Sequence, residues 1–162
     1  MVINNAATYV ARDSLLDISP ESFQNTFCVN VIAPLRVMQT LIPPMLEREW
    51  GRIINVSSIS ASHGGSSTSL DYTSSKVALE TITTTLAREC APRNVLLNSL
   101  RPGVTDTSMH ARNPGKDLRA RTAQIPLRRM GSPTEIAKVI AFLASEEASF
   151  ISGAIIPVSG GE

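Results

Sequence analysis

The segment Gly51–Ser57, GRIINVS, carries a nearly continuous apolar core. That absence of alternation constrains the fold more than any other feature. A strand with one wet face alternates apolar and polar residues, whereas a near-continuous apolar strand is covered on both faces, as in a parallel sheet. Asn94–Gly103, NVLLNSLRPG, reads as a second strand, stopped by Pro102 and Gly103. Gly153–Gly161, GAIIPVSGG, reads as a third that runs into a glycine turn. Met1–Asn4 reads as the tail of a fourth, cut off at its start. The segments between them have helical length and pattern. Strands alternating with helices predict an α/β fold with a parallel sheet.

Ser19–Pro20–Glu21 reads as a helix start: serine caps free amides, proline suits the first turn and glutamate the positive end of the dipole. Phe23, Phe27 and Val31 mark one face. The pattern resumes through Leu35, Met38, Leu41, Ile42, Met45 and Leu46, and Pro34 and Pro43–Pro44 are expected to bend or break it. A helix over Leu70–Cys90 offers Val77, Leu79, Ile82, Leu86 and Ala87 for packing. Ser132, Pro133 and Glu135 form a capping box ahead of the stripe Ile136, Val139, Ile140 and Leu143. Residues 105–129 are polar and basic, a loop with short helical pieces.

The 162 residues fit one domain. A net charge of +1 gives no electrostatic case for nucleic acid or an anionic membrane as partner. Cys28 and Cys90 lie in apolar segments without metal spacing, and are expected as buried, reduced thiols of a cytoplasmic protein. MVINNAATYV lacks the basic n-region of a signal peptide, and no apolar run reads as long enough to span a bilayer.

The stretch Ser69–Glu80, SLDYTSSKVALE, places Tyr72 and Lys76 one turn apart on one helical face. An ammonium near a phenol stabilises the phenolate and lowers its pKa. A phenol so tuned exchanges protons with an alcohol or carbonyl oxygen near neutral pH. Ser58, at the carboxyl end of the preceding strand, supplies a second hydroxyl, and ligands of parallel sheets sit beyond that edge. Ser57 competes for the role; Ser58 lies further past the apolar run. Alone, the pair also reads as a solvated surface feature. His63 lies in the same loop.

Company makes the pattern specific. Asn4, Asn5, Ala6 and Ala7, then Asn30, then GRIINVSSIS, then Tyr72 and Lys76, then Pro102, Gly103 and Thr107, then PLRRMGSPTEIAKVIAFLASEEASFISGAIIPVSGG follow one another in order. In these features the chain resembles the short-chain dehydrogenase/reductase family along essentially its whole length. The resemblance implies a Rossmann-type doubly wound parallel sheet containing family strands four to seven. It implies Tyr72 as general acid/base, Lys76 as partner of Tyr72 and of the nicotinamide ribose, Ser58 as carbonyl-orienting donor, and Asn30 as holder of a relay water. It further implies NAD or NADP as cofactor, contacted by Asn4, Asn5, Ala6, Pro102, Gly103, Thr105 and Thr107. The substrate would be a small carbonyl or alcohol and the assembly a homodimer or homotetramer. Residues 104–129 would be the substrate lid, with Arg112, Lys116, Arg119 and Arg121 giving it positive charge.

The family's glycine-rich phosphate loop and the residue that selects NAD or NADP have no counterpart in the 162 residues. The sequence therefore reads as a family domain lacking its N-terminal nucleotide-binding half. The alternative is a cofactor-free interaction module or partner subunit. Arg101 stands where the family often has a small apolar residue.

Overall fold

The computed structural model describes residues 1–111 and 117–162. Four strands, β1 (Val2–Asn4), β2 (Gly51–Val56), β3 (Val95–Pro102) and β4 (Ile155–Val158), form one parallel sheet in chain order. Val2 pairs with Ile53, Gly51 with Val95 and Ser99 with Ile155. The helices are α1 (Pro20–Phe27), α2 (Ala33–Glu47), α3 (Ser60–His63), α4 (Leu70–Cys90), α5 (Ser108–Ala111), α6 (Leu118–Gln124) and α7 (Pro133–Ala144). A π-helical turn, Cys28–Ile32, joins α1 to α2.

Every residue of β2 is buried. Ile53 packs into a cluster with Met38 and Met45 of α2, Ala87 and Cys90 of α4, and Val95 and Leu97 of β3. Its neighbour Ile54 faces the other way, toward Leu100, Ile136 and Leu143 of α7, and Ala148. Successive strand residues alternate between faces, so the run of apolar residues reports two covered faces. Burying each such side chain contributes roughly 1.5–3 kcal/mol. Both faces carry helices, the doubly wound arrangement. Among the described residues β1 pairs on one side only, and Met1 and Ile3 are exposed there.

The prolines do not break the second helical segment. Pro20–Glu47 is continuous over 28 residues, with Pro43 and Pro44 inside α2. Those prolines are exposed, as are Gln39 and Thr40, the residues whose carbonyls lose a donor, so the lost bonds fall on the solvent side of the helix. Ahead of Pro34 the wider turn absorbs the missing donor: the Ala33 N–H reaches back to the Cys28 carbonyl. By length and mean hydropathy (1.2 over its most apolar window) this helix could cross a bilayer, contrary to the expectation from the sequence. In the fold it lies on the sheet through Met38 and Met45. Cys28 is exposed, against expectation, because it sits on the outward side of the π turn; Cys90 is buried.

Both anticipated helix starts are present. The Ser19 side chain accepts from the Ser22 amide at 3.2 Å, and Ser132 and Glu135 form a reciprocal box at 3.2 and 2.8 Å. Helices α5 and α6 fall within residues 104–129. Of the basic residues expected in a lid, Arg121 pairs with Glu162 and Arg119 is exposed, while Arg112 and Lys116 lie outside the described residues.

Candidate active site

The carboxyl ends of β2 and β3 and the start of α4 line a cavity of about 1180 Å³. Helix α4 begins at Leu70 after a short 3₁₀ turn, which brings Tyr72 to the cavity wall. The Ser58 hydroxyl lies close enough to the Tyr72 phenol to favour its ionised form. Ser58 is oriented in turn by the Ser60 amide at 3.2 Å and the Ser60 hydroxyl at 3.0 Å, both donating to its oxygen. Ser57 points the opposite way along the strand, and its hydroxyl donates to Glu80 at 2.6 Å. The pleat thus separates the two serines, and only Ser58 meets the phenol.

Lys76 is 2% exposed. Its Nζ donates to the Val56 carbonyl at 2.7 Å and lies 5.6 Å from the centre of the Tyr72 ring. Burial lowers its pKa to about 8, against the opposing pull of Glu80. For Tyr72 the expectation of an acidified phenol is not met. Burial raises its pKa, the Ser58 hydroxyl opposes that rise, and the adjacent Tyr9 adds to it. The physical reason is placement. The ammonium sits beneath the ring, tied to the Val56 carbonyl, and desolvation is the largest influence on the phenol. Tyr9 packs edge-on against Tyr72, with centroids 5.3 Å apart and planes at 87°.

Asn30 is fully buried in the π turn. Its oxygen accepts from the Thr8 amide at 2.8 Å, and its amide donates to the Thr8 carbonyl at 3.0 Å and the Ser75 hydroxyl at 2.9 Å. It therefore fastens the loop after β1 to α4. Asn4 donates to Asn55 at 2.7 Å, inside the sheet layer, while Asn5 lines the cavity. Neither Asn4 nor Ala6 lines it. Pro102, Gly103, Thr105, Thr107 and His63 do. At Gly103 a Cβ would come within 2.7 Å of the Ser159 Cα, so only glycine fits. The Thr105 hydroxyl closes that turn on the Gly103 carbonyl at 3.0 Å.

Three features escaped the sequence reading. Tyr9 enters the cavity wall; nothing in its local pattern marks it. Arg12 grips Asp71 through two hydrogen bonds, at 3.1 and 2.9 Å, and also donates to Ser22, which ties the loop after β1 to the residue preceding Tyr72. Thr26 supports the same carboxylate at 2.8 Å. Arg101 has an account: it holds the buried Glu80 through two bonds, at 2.7 and 2.6 Å. A charge near the end of a strand with no other charged residue was the signal.

Residues 1–162 match the family model described as enoyl-(acyl carrier protein) reductase. The chain belongs to the short-chain dehydrogenase/reductase family. It is 39% identical over 162 residues to a 3-oxoacyl-[acyl-carrier-protein] reductase, FabG, of Aquifex aeolicus, covering 99% of this chain and 64% of the relative. It is 36% identical to the human dehydrogenase/reductase SDR family member 4, covering 99% of this chain and 58% of that one. Among solved structures, a 3-oxoacyl (acyl-carrier-protein) reductase from Agrobacterium tumefaciens C58 with NADP bound superposes with a TM-score of 0.91 at 30% identity, covering 99% of this chain and 64% of that chain. The chain thus spans less than two thirds of the length of these relatives.

Proposed function

We propose that this chain carries the proton-transfer machinery of an oxidoreductase that interconverts a secondary alcohol and a ketone with NAD or NADP. The observation that carries the reading is the meeting of Ser58, Tyr72 and Lys76 at one cavity wall. The residues fit the nicotinamide end of such a cofactor: Gly103 permits close backbone approach, and Thr107, Asn5 and the remaining N–H donors of Lys76 offer polar contacts. Among the described residues no glycine-rich turn opens a helix toward a pyrophosphate. Bound there, the nicotinamide would supply hydride to the carbonyl carbon.

Ser58 donates to the substrate oxygen and favours the charge that develops on it. Tyr72, protonated at neutral pH, gives its proton to that oxygen in reduction and takes one back in oxidation. Lys76 holds positive charge beneath the phenol, which aids proton release at the moment of transfer. Asn30 keeps the start of α4 in place and could serve the return of a proton through a water. The π turn exposes Ile32, and the outer faces of α2 and α4 expose Val37, Leu41 and Val77, which supports assembly as a homodimer or homotetramer. Among the described part of residues 104–129, Met109, Leu118 and Arg121 line the cavity and would form the lid over a small carbonyl substrate, with a 3-oxoacyl thioester as the first to assay.

Fluorescence titration with NADPH and NADH, followed by turnover of such a thioester, tests the reading. Tyr72→Phe should cut turnover by about 10²–10⁴-fold while leaving circular dichroism and nucleotide binding unchanged. Near-parental turnover in that variant would remove Tyr72 from the chemistry. A folded oligomer that binds neither nucleotide would favour the cofactor-free module.

A further inference from the structure

Beneath the cavity lies a set of charged groups that the proposed chemistry does not use. Glu80 is 4% exposed, one turn beyond Lys76 on α4. One of its oxygens accepts from the Ser57 hydroxyl at 2.6 Å and from Arg101 Nε at 2.7 Å; the other accepts from Arg101 Nη2 at 2.6 Å. The Ser57 hydroxyl also lies 3.4 Å from the Lys76 carbonyl. Each member adjoins a residue at the cavity wall. Ser57 precedes Ser58, Arg101 precedes Pro102 and Gly103, and Glu80 follows Lys76 by a turn. The three elements that meet at the site are joined at one carboxylate.

We propose that Glu80, Arg101 and Ser57 act as positioning residues: a charge-balanced brace that fixes β2, β3 and α4 in mutual register and keeps Lys76 in its ammonium form. An isolated carboxylate in this interior would be costly, and a bidentate guanidinium with a serine hydroxyl satisfies it. A neutral spacer would hold the backbone equally well but would leave the buried ammonium of Lys76 without a nearby anion. Lys76 faces Tyr72 and Glu80 from its own helix and the Val56 carbonyl from β2, and it meets Arg101 of β3 through Glu80. Glu80 is the anion of that set, and Arg101 limits how much of its charge Lys76 feels. The direction follows: removing the carboxylate makes Lys76 easier to deprotonate, and removing the guanidinium makes it harder. The use of that charge rests on the oxidoreductase reading; the charge itself does not.

The test is a pH titration of the intact chain labelled with ¹³C-lysine, which contains three lysines, with the Lys76 signal assigned by its loss in Lys76→Met. Glu80→Gln should lower the Lys76 midpoint by roughly one pH unit, the low end of what an opposite charge produces in a buried site. Arg101→Gln should move it upward by a smaller amount. An ion pair that served only to hold the fold together would lower the melting temperature and shift neither midpoint. If one variant does not fold, the sign of the other decides. Unmoved midpoints in folded variants, or loss of folding in both, would overturn the proposal. Adding NADPH to the same samples separates the two readings: an unperturbed Lys76 signal in the parent chain sinks the oxidoreductase function and leaves the brace intact.

Discussion

Helices α4 and α7 are built on opposite plans. Helix α7 carries its own instructions: a reciprocal cap at Ser132 and Glu135, proline in its first turn and an apolar stripe, yet it buries only Ile136 and Leu143. Helix α4 has no side-chain cap at Ser69 and a run of threonines, yet it buries nine residues, six of them polar or charged: Asp71, Thr73, Ser75, Lys76, Glu80 and Thr83. Local propensity accounts for α7. For α4, tertiary packing and buried hydrogen bonds decide. The helix that carries the site depends most on its surroundings, and this explains why Lys76 and Glu80 are held so tightly.

The contrast is open to attack at several depths. Leu79, 1% exposed in α4, should cost about 2–5 kcal/mol on replacement by alanine. Ile140, half-buried in α7, should cost less than half of that under the same urea titration. Equal losses would put the two helices on one plan. A subtler probe is pH. Because Lys76 has its pKa lowered to about 8 in the folded chain, the unfolded chain binds more protons between there and its ordinary value. Stability should therefore rise as pH climbs through that window, by on the order of 3 kcal/mol from this group alone. The rise should vanish in Lys76→Met; its persistence would assign it elsewhere. The smallest effect is at the caps. Ser132→Ala should cost about 1 kcal/mol, and Ser69→Ala, which removes no cap bond, should cost less. The reverse order would mean that α4 relies on local signals after all.

The same contrast explains what could be read in advance. The strands, the extent of α4 and the start of α7 were legible because apolar runs and capping residues are local. Ser58 rather than Ser57 was inferred from its distance past the apolar run; the structure adds that the pleat turns Ser57 to Glu80. That the helix continues through Pro43 and Pro44 was not legible, because the solvent exposure of those prolines is a tertiary fact. The phenol was misjudged because spacing puts Lys76 near Tyr72 without showing that the Val56 carbonyl anchors the amine beneath the ring. Tyr9, Arg12–Asp71 and Glu80–Arg101 join segments far apart in the chain, and pairings of that range leave no local pattern.

The strand pairings also govern how the molecule can come into being. Val2 must find Ile53, Gly51 must find Val95, and Ser99 must find Ile155, and no tight turn helps any of them. Loops of that length close slowly, and a chain emerging from the ribosome leaves the sticky backbone of β2 uncovered until Val95–Pro102 has been made. Yield in the cell will consequently follow the speed of these crossovers, so a substitution can deplete the protein by clumping during synthesis even when the finished molecule would have been sound.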